Sequence, residues 1–162
     1  MPPKKPGKII SGGQTGADRG GLDAAMDLGI PHGGACPKGR RAEDGVIPGK
    51  YKLSETRSTR YAERTEKNVL ASEATVVFTY GPPEGGSALT LALARRHGKP
   101  FLHVDLEKLD EKAAVRALQA WIREHDVAIL NVAGSRESKA AGLERLVWRI
   151  VKTAYLMDRA DG

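Results

Sequence analysis

Residues 74–97, ATVVFTYGPPEGGSALTLALARRH, decide the architecture. Ala74–Tyr80 is a continuous, β-branched apolar run, the pattern of a strand buried on both faces. It breaks at Gly81-Pro82-Pro83 and resumes from Ser87 to His97 as a helix that is apolar over much of its circumference. Such a helix is predicted to be well buried. The same alternation extends outwards. Short strands are predicted at Lys8–Ser11, Gly33–Cys36, Pro100–Val104 and Val127–Val132. Between them lie predicted helices at Ala17–Leu28, closed by Gly29, at Arg60–Ser72, at Glu111–His125 behind an Asp110 cap, and at Gly142–Met157. Residues 37–58, rich in glycine, proline and charge, read as a long loop. Strands alternating with helices of this length give an α/β domain: a doubly wound, mostly parallel sheet with helices on both faces. One such domain is expected over 8–158, preceded by a mobile, basic, proline-rich tail at 1–7.

Composition narrows the function. The chain has 162 residues, 40% of them apolar and 28% charged, which excludes disordered and coiled-coil classes. No apolar run is long enough for a membrane span, and the opening MPPKKPGK lacks a signal peptide's apolar stretch. A cytoplasmic protein without membrane association is therefore expected. A single cysteine, Cys36, excludes an internal disulfide framework. It reads either as a small core residue or as a ligand contact. The four histidines show no metal-ligand spacing, so no directly coordinated metal is expected. Net charge is +6, with Lys4, Lys5 and Lys8 near the start, and aromatic residues make up only 5%. This disfavours nucleic acid as a partner and suits a small anionic ligand.

Three strand-to-helix loops carry the binding signal, because ligands of doubly wound folds sit outside the carboxyl ends of the strands. The first is Ser11-Gly12-Gly13-Gln14-Thr15-Gly16-Ala17-Asp18-Arg19-Gly20-Gly21. Its glycines permit close backbone approach, Gln14 and Thr15 add donors, and Arg19 adds charge. The alternative is a tight turn with packed glycines, with Asp18 as a carboxylate at a helix start. The second holds Gly85, Gly86 and Ser87, whose N–H groups and hydroxyl suit an oxyanion, with Thr90 one turn on. The third offers Ser135, Arg136, Ser138 and Lys139 before the last helix. Arg60, Arg64 and Asn68 recur at i, i+4 and i+8, so one helix face could aim at the same place or be a solvated stripe. No GxxxxGK[ST] phosphate loop and no GxSxG nucleophile elbow is present.

Five stretches, taken in order, resemble a known family: SGGQTGADRGGLD (11–23), CPKGRRAEDG (36–45), ERTEKNV (63–69), GGSALT (85–90) and NVAGSRESK (131–139). They are similar to the molybdenum cofactor carrier proteins, within the LOG or lysine-decarboxylase-like Rossmannoid superfamily. The resemblance covers residues 8–157. It implies a single-domain Rossmann-like fold, a pocket built from these loops, and a phosphorylated ligand. That ligand would be molybdenum cofactor (a molybdopterin) or a nucleotide, with the metal carried on the pterin. A homo-oligomer and molybdoenzyme partners are also implied. On this reading Gly12, Gly13, Gly16, Gly85, Gly86 and Ser87 approach the ligand. Arg19, Arg60, Arg64 and Arg136 supply charge, and Gln14, Thr15, Asn68, Thr90 and Ser135 complete the site.

An alternative is a LOG-type nucleotide phosphoribohydrolase, whose motif is Pro-Gly-Gly-x-Gly-Thr-x-x-Glu. Here Ala92 stands in the place of that glutamate. A hydrolase would need another carboxylate to stabilise an oxocarbenium-like centre, with Glu43, Asp44 and Asp18 as candidates. A nucleotide-sensing module is the third reading.

Overall fold

The structure is a computed structural model and describes residues 6–157. Of the expected tail, the structure describes Pro6, which is buried, and Gly7, whose N–H donates to Ala128 O at 2.8 Å. Lys4, Lys5 and residue 158 lie outside the described residues.

Five parallel strands form the sheet: β1 (Lys8–Ile10), β2 (His32–Gly33), β7 (Ala74–Thr79), β8 (Phe101–Asp105) and β9 (Ile129–Gly134). Every residue of β7 is buried, as its β-branched run predicts. Helices α1 (Ala17–Leu28), α4 (Glu111–His125) and α5 (Leu143–Met157) cover one face. The other face carries α2 (Tyr61–Ala71) and α3 (Gly85–Arg96). The main core lies under α1, α4 and α5, where Phe78, Leu118, Leu130, Leu143 and Ile150 lose all or nearly all solvent contact. Each such side chain contributes about 1.5–3 kcal/mol of burial free energy. Helix ends follow local chemistry. Gly29 closes α1 in the left-handed conformation, and the Asp110 side chain accepts the Ala113 N–H at 2.8 Å to cap α4.

The spatial order is β2-β1-β9-β7-β8. Counting the last sheet strand of the chain as the first turns this into 3-2-1-4-5, the common doubly wound order. The chain is thus a doubly wound fold whose first strand has moved to the end. The start and the end of the described residues meet accordingly: Tyr155, near the end of α5, donates its hydroxyl proton to Pro6 O at 3.5 Å. The connections after β1 and β9 pass to one face and the connection after β7 to the other. The topological switch point therefore lies between β9 and β7.

The segment expected to be a long loop is more ordered than its composition suggests. Residues 33–36 split into the end of β2 and a separate strand β3 (Ala35–Cys36). A hairpin follows, β4 (Arg41–Ala42) with β5 (Gly45–Val46), and β6 (Ser54–Glu55) then pairs with β3 in parallel. Ile47 and Tyr51 pack with Cys36, Ala42 and Leu22 of α1 as a second small core. Ile47 and Tyr51, four residues apart in a segment broken by glycine, proline and charge, extend no helical or strand period, so their anchoring role is invisible to pattern reading.

Candidate ligand-binding cleft

A cleft of about 550 Å³ opens at the switch point, outside the carboxyl ends of β1, β7 and β9. Its lining draws on all three loops singled out in the sequence, together with one face of α2.

From the first loop, Gly12, Gln14 and Asp18 line the cleft, whereas Gly13, Thr15, Gly16 and Arg19 do not. Gly16 has φ 85°, and a Cβ there would fall 2.3 Å from Ser135 O. Its lack of a side chain lets the first and third loops touch. Gly13 faces Leu53 and Ile47 instead. Arg19 donates from Nε to Gly13 O at 3.0 Å and forks onto both Asp44 oxygens at 2.6 and 2.8 Å. That guanidinium holds the Asp44 carboxyl below its usual range. Thr15 Oγ1 donates to Glu43 and accepts the Glu137 N–H at 3.1 Å. Glu43 also accepts the Ser138 N–H at 3.2 Å and the Ser138 hydroxyl, with Arg136 Nη1 4.0 Å away. Partial burial pushes its carboxyl up, but the hydrogen bonds from Ser138 and Thr15 win and hold it below the usual range. Glu43 and Asp44, considered as catalytic carboxylates, thus fasten the β4–β5 hairpin to the first and third loops and do not line the cleft.

Asp18 does line the cleft and is deeply buried. It accepts the Gln14 N–H at 3.2 Å and lies 3.8 Å from Arg64 Nη1. Burial raises its pKa, with Arg64 and the Gln14 N–H pulling the other way. Arg64 Nη1 also donates to Gly12 O at 2.7 Å, and Nε to Thr65 Oγ1 at 3.2 Å. Nη2 has no hydrogen-bond partner among the described residues. Asn68 lines the cleft, but both ends of its amide are spent on Ala35, accepting its N–H at 2.7 Å and donating to its carbonyl at 3.0 Å. Arg60 precedes α2, is exposed and leans on Ser58; it is absent from the lining. The i, i+4, i+8 stripe therefore divides: Arg64 and Asn68 turn in, and Arg60 stays out.

The second loop is the most open. Thr79 Oγ1 donates to Gly81 O at 2.7 Å and the Gly81 N–H reaches Asp105 Oδ1 at 2.8 Å, so the turn out of β7 is held from below. A Cβ on Gly85 or Gly86 would meet nothing within 4 Å. Neither amide N–H has a partner among the described residues. Ser87 is only 5% exposed, lines the cleft, and its hydroxyl likewise lacks a partner. Thr90 turns its hydroxyl back onto Gly86 O at 2.8 Å. Ser135, Arg136 and Lys139 complete the rim.

Sequence reasoning gave no individual site role to Tyr80, Pro82, Leu89, Asn131 or Ala133, which also line the cleft. Asn131 was legible in principle, as an amide within the apolar run Ile129–Ala133. It is buried and donates to Thr75 Oγ1 at 3.2 Å. Cys36 is fully buried in the second core and does not reach the cleft.

The circularly permutated YpsA SLOG family profile matches residues 9–155, nearly the whole chain. The chain belongs to the circularly permutated YpsA SLOG family. Membership agrees with a strand order that becomes regular once β9 is counted first. A crystal structure of a protein from Syntrophus aciditrophicus, described as "Putative molybdenum carrier protein", is similar at 42% identity. The alignment covers 92% of this chain and 94% of that one, with a TM-score of 0.90. No curated protein matches. The resemblance stated from the sequence and the expected Rossmann-like, single-domain α/β fold are both borne out. In this SLOG member, no helix among the described residues is long and apolar enough to cross a membrane. Nor do the described residues gather three or more His, Cys, Asp or Glu side chains where they could hold a metal ion.

Proposed function

We propose that this protein binds a small phosphorylated heterocycle, a molybdopterin or a nucleotide, in the switch-point cleft and carries it without turnover. The observation that carries the reading is a set of donors with nothing in the protein to bind. Gln14 Nε2, Arg64 Nη2 and the Ser87 hydroxyl are unpartnered among the described residues. Their side chains belong to cleft-lining residues that are only 7%, 8% and 5% exposed. Among the described residues no fully buried side-chain nitrogen or oxygen lacks a partner, so these three donor atoms keep solvent access, and an acceptor-rich guest could replace the water they meet. The free Gly85 and Gly86 N–H groups at the start of α3 are suited to the phosphate, with Arg136 and Lys139 on the rim. Tyr80, Pro82 and Leu89 offer apolar surface for the ring.

In this proposal the protein is a cytoplasmic homo-oligomer that hands its cargo to molybdoenzymes. The similarity to a protein described as a molybdenum carrier supports the cargo class. Native mass spectrometry of freshly purified protein tests the reading. A retained phosphorylated pterin or nucleotide, recovered intact, is expected. Release of free base from added AMP or CMP would instead establish the hydrolase, with Asp18 the buried carboxylate positioned to serve it.

A further inference from the structure

The hydrogen-bond polarity of the cleft floor restricts which heterocycle fits. Gln14 Oε1 accepts two backbone N–H groups, from Thr15 at 3.1 Å and from Glu43 at 2.9 Å. Backbone N–H groups cannot act as acceptors, so the side-chain amide cannot turn over. Its Nε2 is therefore a fixed donor, without a partner among the described residues, on a side chain that lines the cleft. Arg64 meets Gln14 at Asp18, whose carboxylate accepts the Gln14 N–H and lies 3.8 Å from Arg64 Nη1. Nη1 is occupied by Gly12 O, which leaves Nη2 as a second donor, without a partner among the described residues, on a residue that lines the same cleft. The buried Asp18 offsets the Arg64 charge, so this end of the cleft favours a neutral acceptor over a second phosphate. The α3 end has no such counter-charge buried beside it, because Glu84 is exposed.

We propose that the cleft selects monophosphates whose ring presents an oxo group to Gln14 and Arg64, such as a 6-oxopurine or a 4-oxopteridine, over those presenting an amino group. This rests on the reading of the cleft as a phosphate and heterocycle site. An oxo group accepts both donors. An amino group in the same place leaves the two donors facing a third, and sites built to hydrogen-bond one group reject analogues that cannot answer.

IMP and AMP carry the same phosphate and ribose and differ at C6, oxo against amino, and with it at N1, N–H against acceptor, so their affinities for the intact protein, measured by calorimetry, test the proposal. IMP is expected to bind at least about tenfold more tightly. Gln14→Glu keeps one oxygen on the two backbone N–H groups and turns the other, an acceptor, to the cleft. That variant should bind both nucleotides less well, through its added charge, and lose or reverse the preference. Its melting temperature serves as the folding control, and the wild-type ratio needs no variant. Equal affinities, an AMP preference in the wild type, or a ratio unmoved by Gln14→Glu would overturn the selection while leaving the cleft's phosphate role standing. If neither nucleotide nor inorganic phosphate binds, both proposals fall.

Discussion

The two glycine-rich loops that leave β1 and β7 carry the same sequence signal and do different physical work. In the first, glycine is an absence required by neighbouring protein: Gly16 makes room for Ser135 O, Gly13 for Leu53 and Ile47, and Gly12 for the Arg64 guanidinium. Most polar groups there are consumed internally, by Glu43, Asp44 and Glu137. In the second, a Cβ on Gly85 or Gly86 would meet nothing within 4 Å, and their N–H groups have no partner among the described residues. A glycine after a strand therefore means either packing or ligand approach, and the atoms around its missing Cβ decide between them.

Substitutions can break or sharpen that contrast. The largest effect is expected from Gly16→Ala, which sets a Cβ against Ser135 O at 2.3 Å on a backbone with φ 85°. A loss of about 3 kcal/mol or more should appear in chemical denaturation, since strain and overpacking add. A near-neutral result would mean the first loop is no more packed than the second. Glu43→Gln should cost less, about 1–2 kcal/mol, because it weakens the tie among three segments without opening a cavity. It also carries a pH signature. The Glu43 carboxyl is held below its ordinary value of 4.5 in the folded state. Its stabilisation is therefore complete above that value and lost as the pH falls through the folded pKa. Melting temperatures between pH 6 and pH 3 should fall less steeply in the variant than in the wild type. The smallest stability effect, within about 0.5 kcal/mol, is expected for Gly86→Ala, which meets no neighbour. Ligand affinity should nonetheless drop, since the new methyl projects where backbone approach is proposed. Unchanged affinity there would remove the second loop from the site.

The sequence carried the fold through its long elements. The run Ala74–Tyr80 and the stripes of α4 and α5 are periodic enough to place strand and helix faces within a residue or two. The 37–58 segment was opaque because Ile47 and Tyr51 anchor it through contacts with α1, which local pattern does not encode. At the site, loop membership was readable but side-chain commitment was not. Arg19, Arg64 and Arg60 look alike as sequence. They end as an ion pair with Asp44, a half-satisfied cleft donor and a solvent-exposed residue, according to partners distant along the chain. The strand order made the permutation visible only once β9 was seen between β1 and β7.

The central claim is that the open start of α3 receives the ligand's phosphate end, while Gln14 and Arg64 meet its ring elsewhere in the same cleft. An amide and guanidinium NMR titration of the ¹⁵N-labelled protein with IMP tests this most directly. The account predicts saturable shifts concentrated at Gly85, Gly86, Ser87, Gln14 and Arg64, with Gly13 and Gly16 moving little. Shifts confined to other surfaces, or none at millimolar nucleotide, would contradict it.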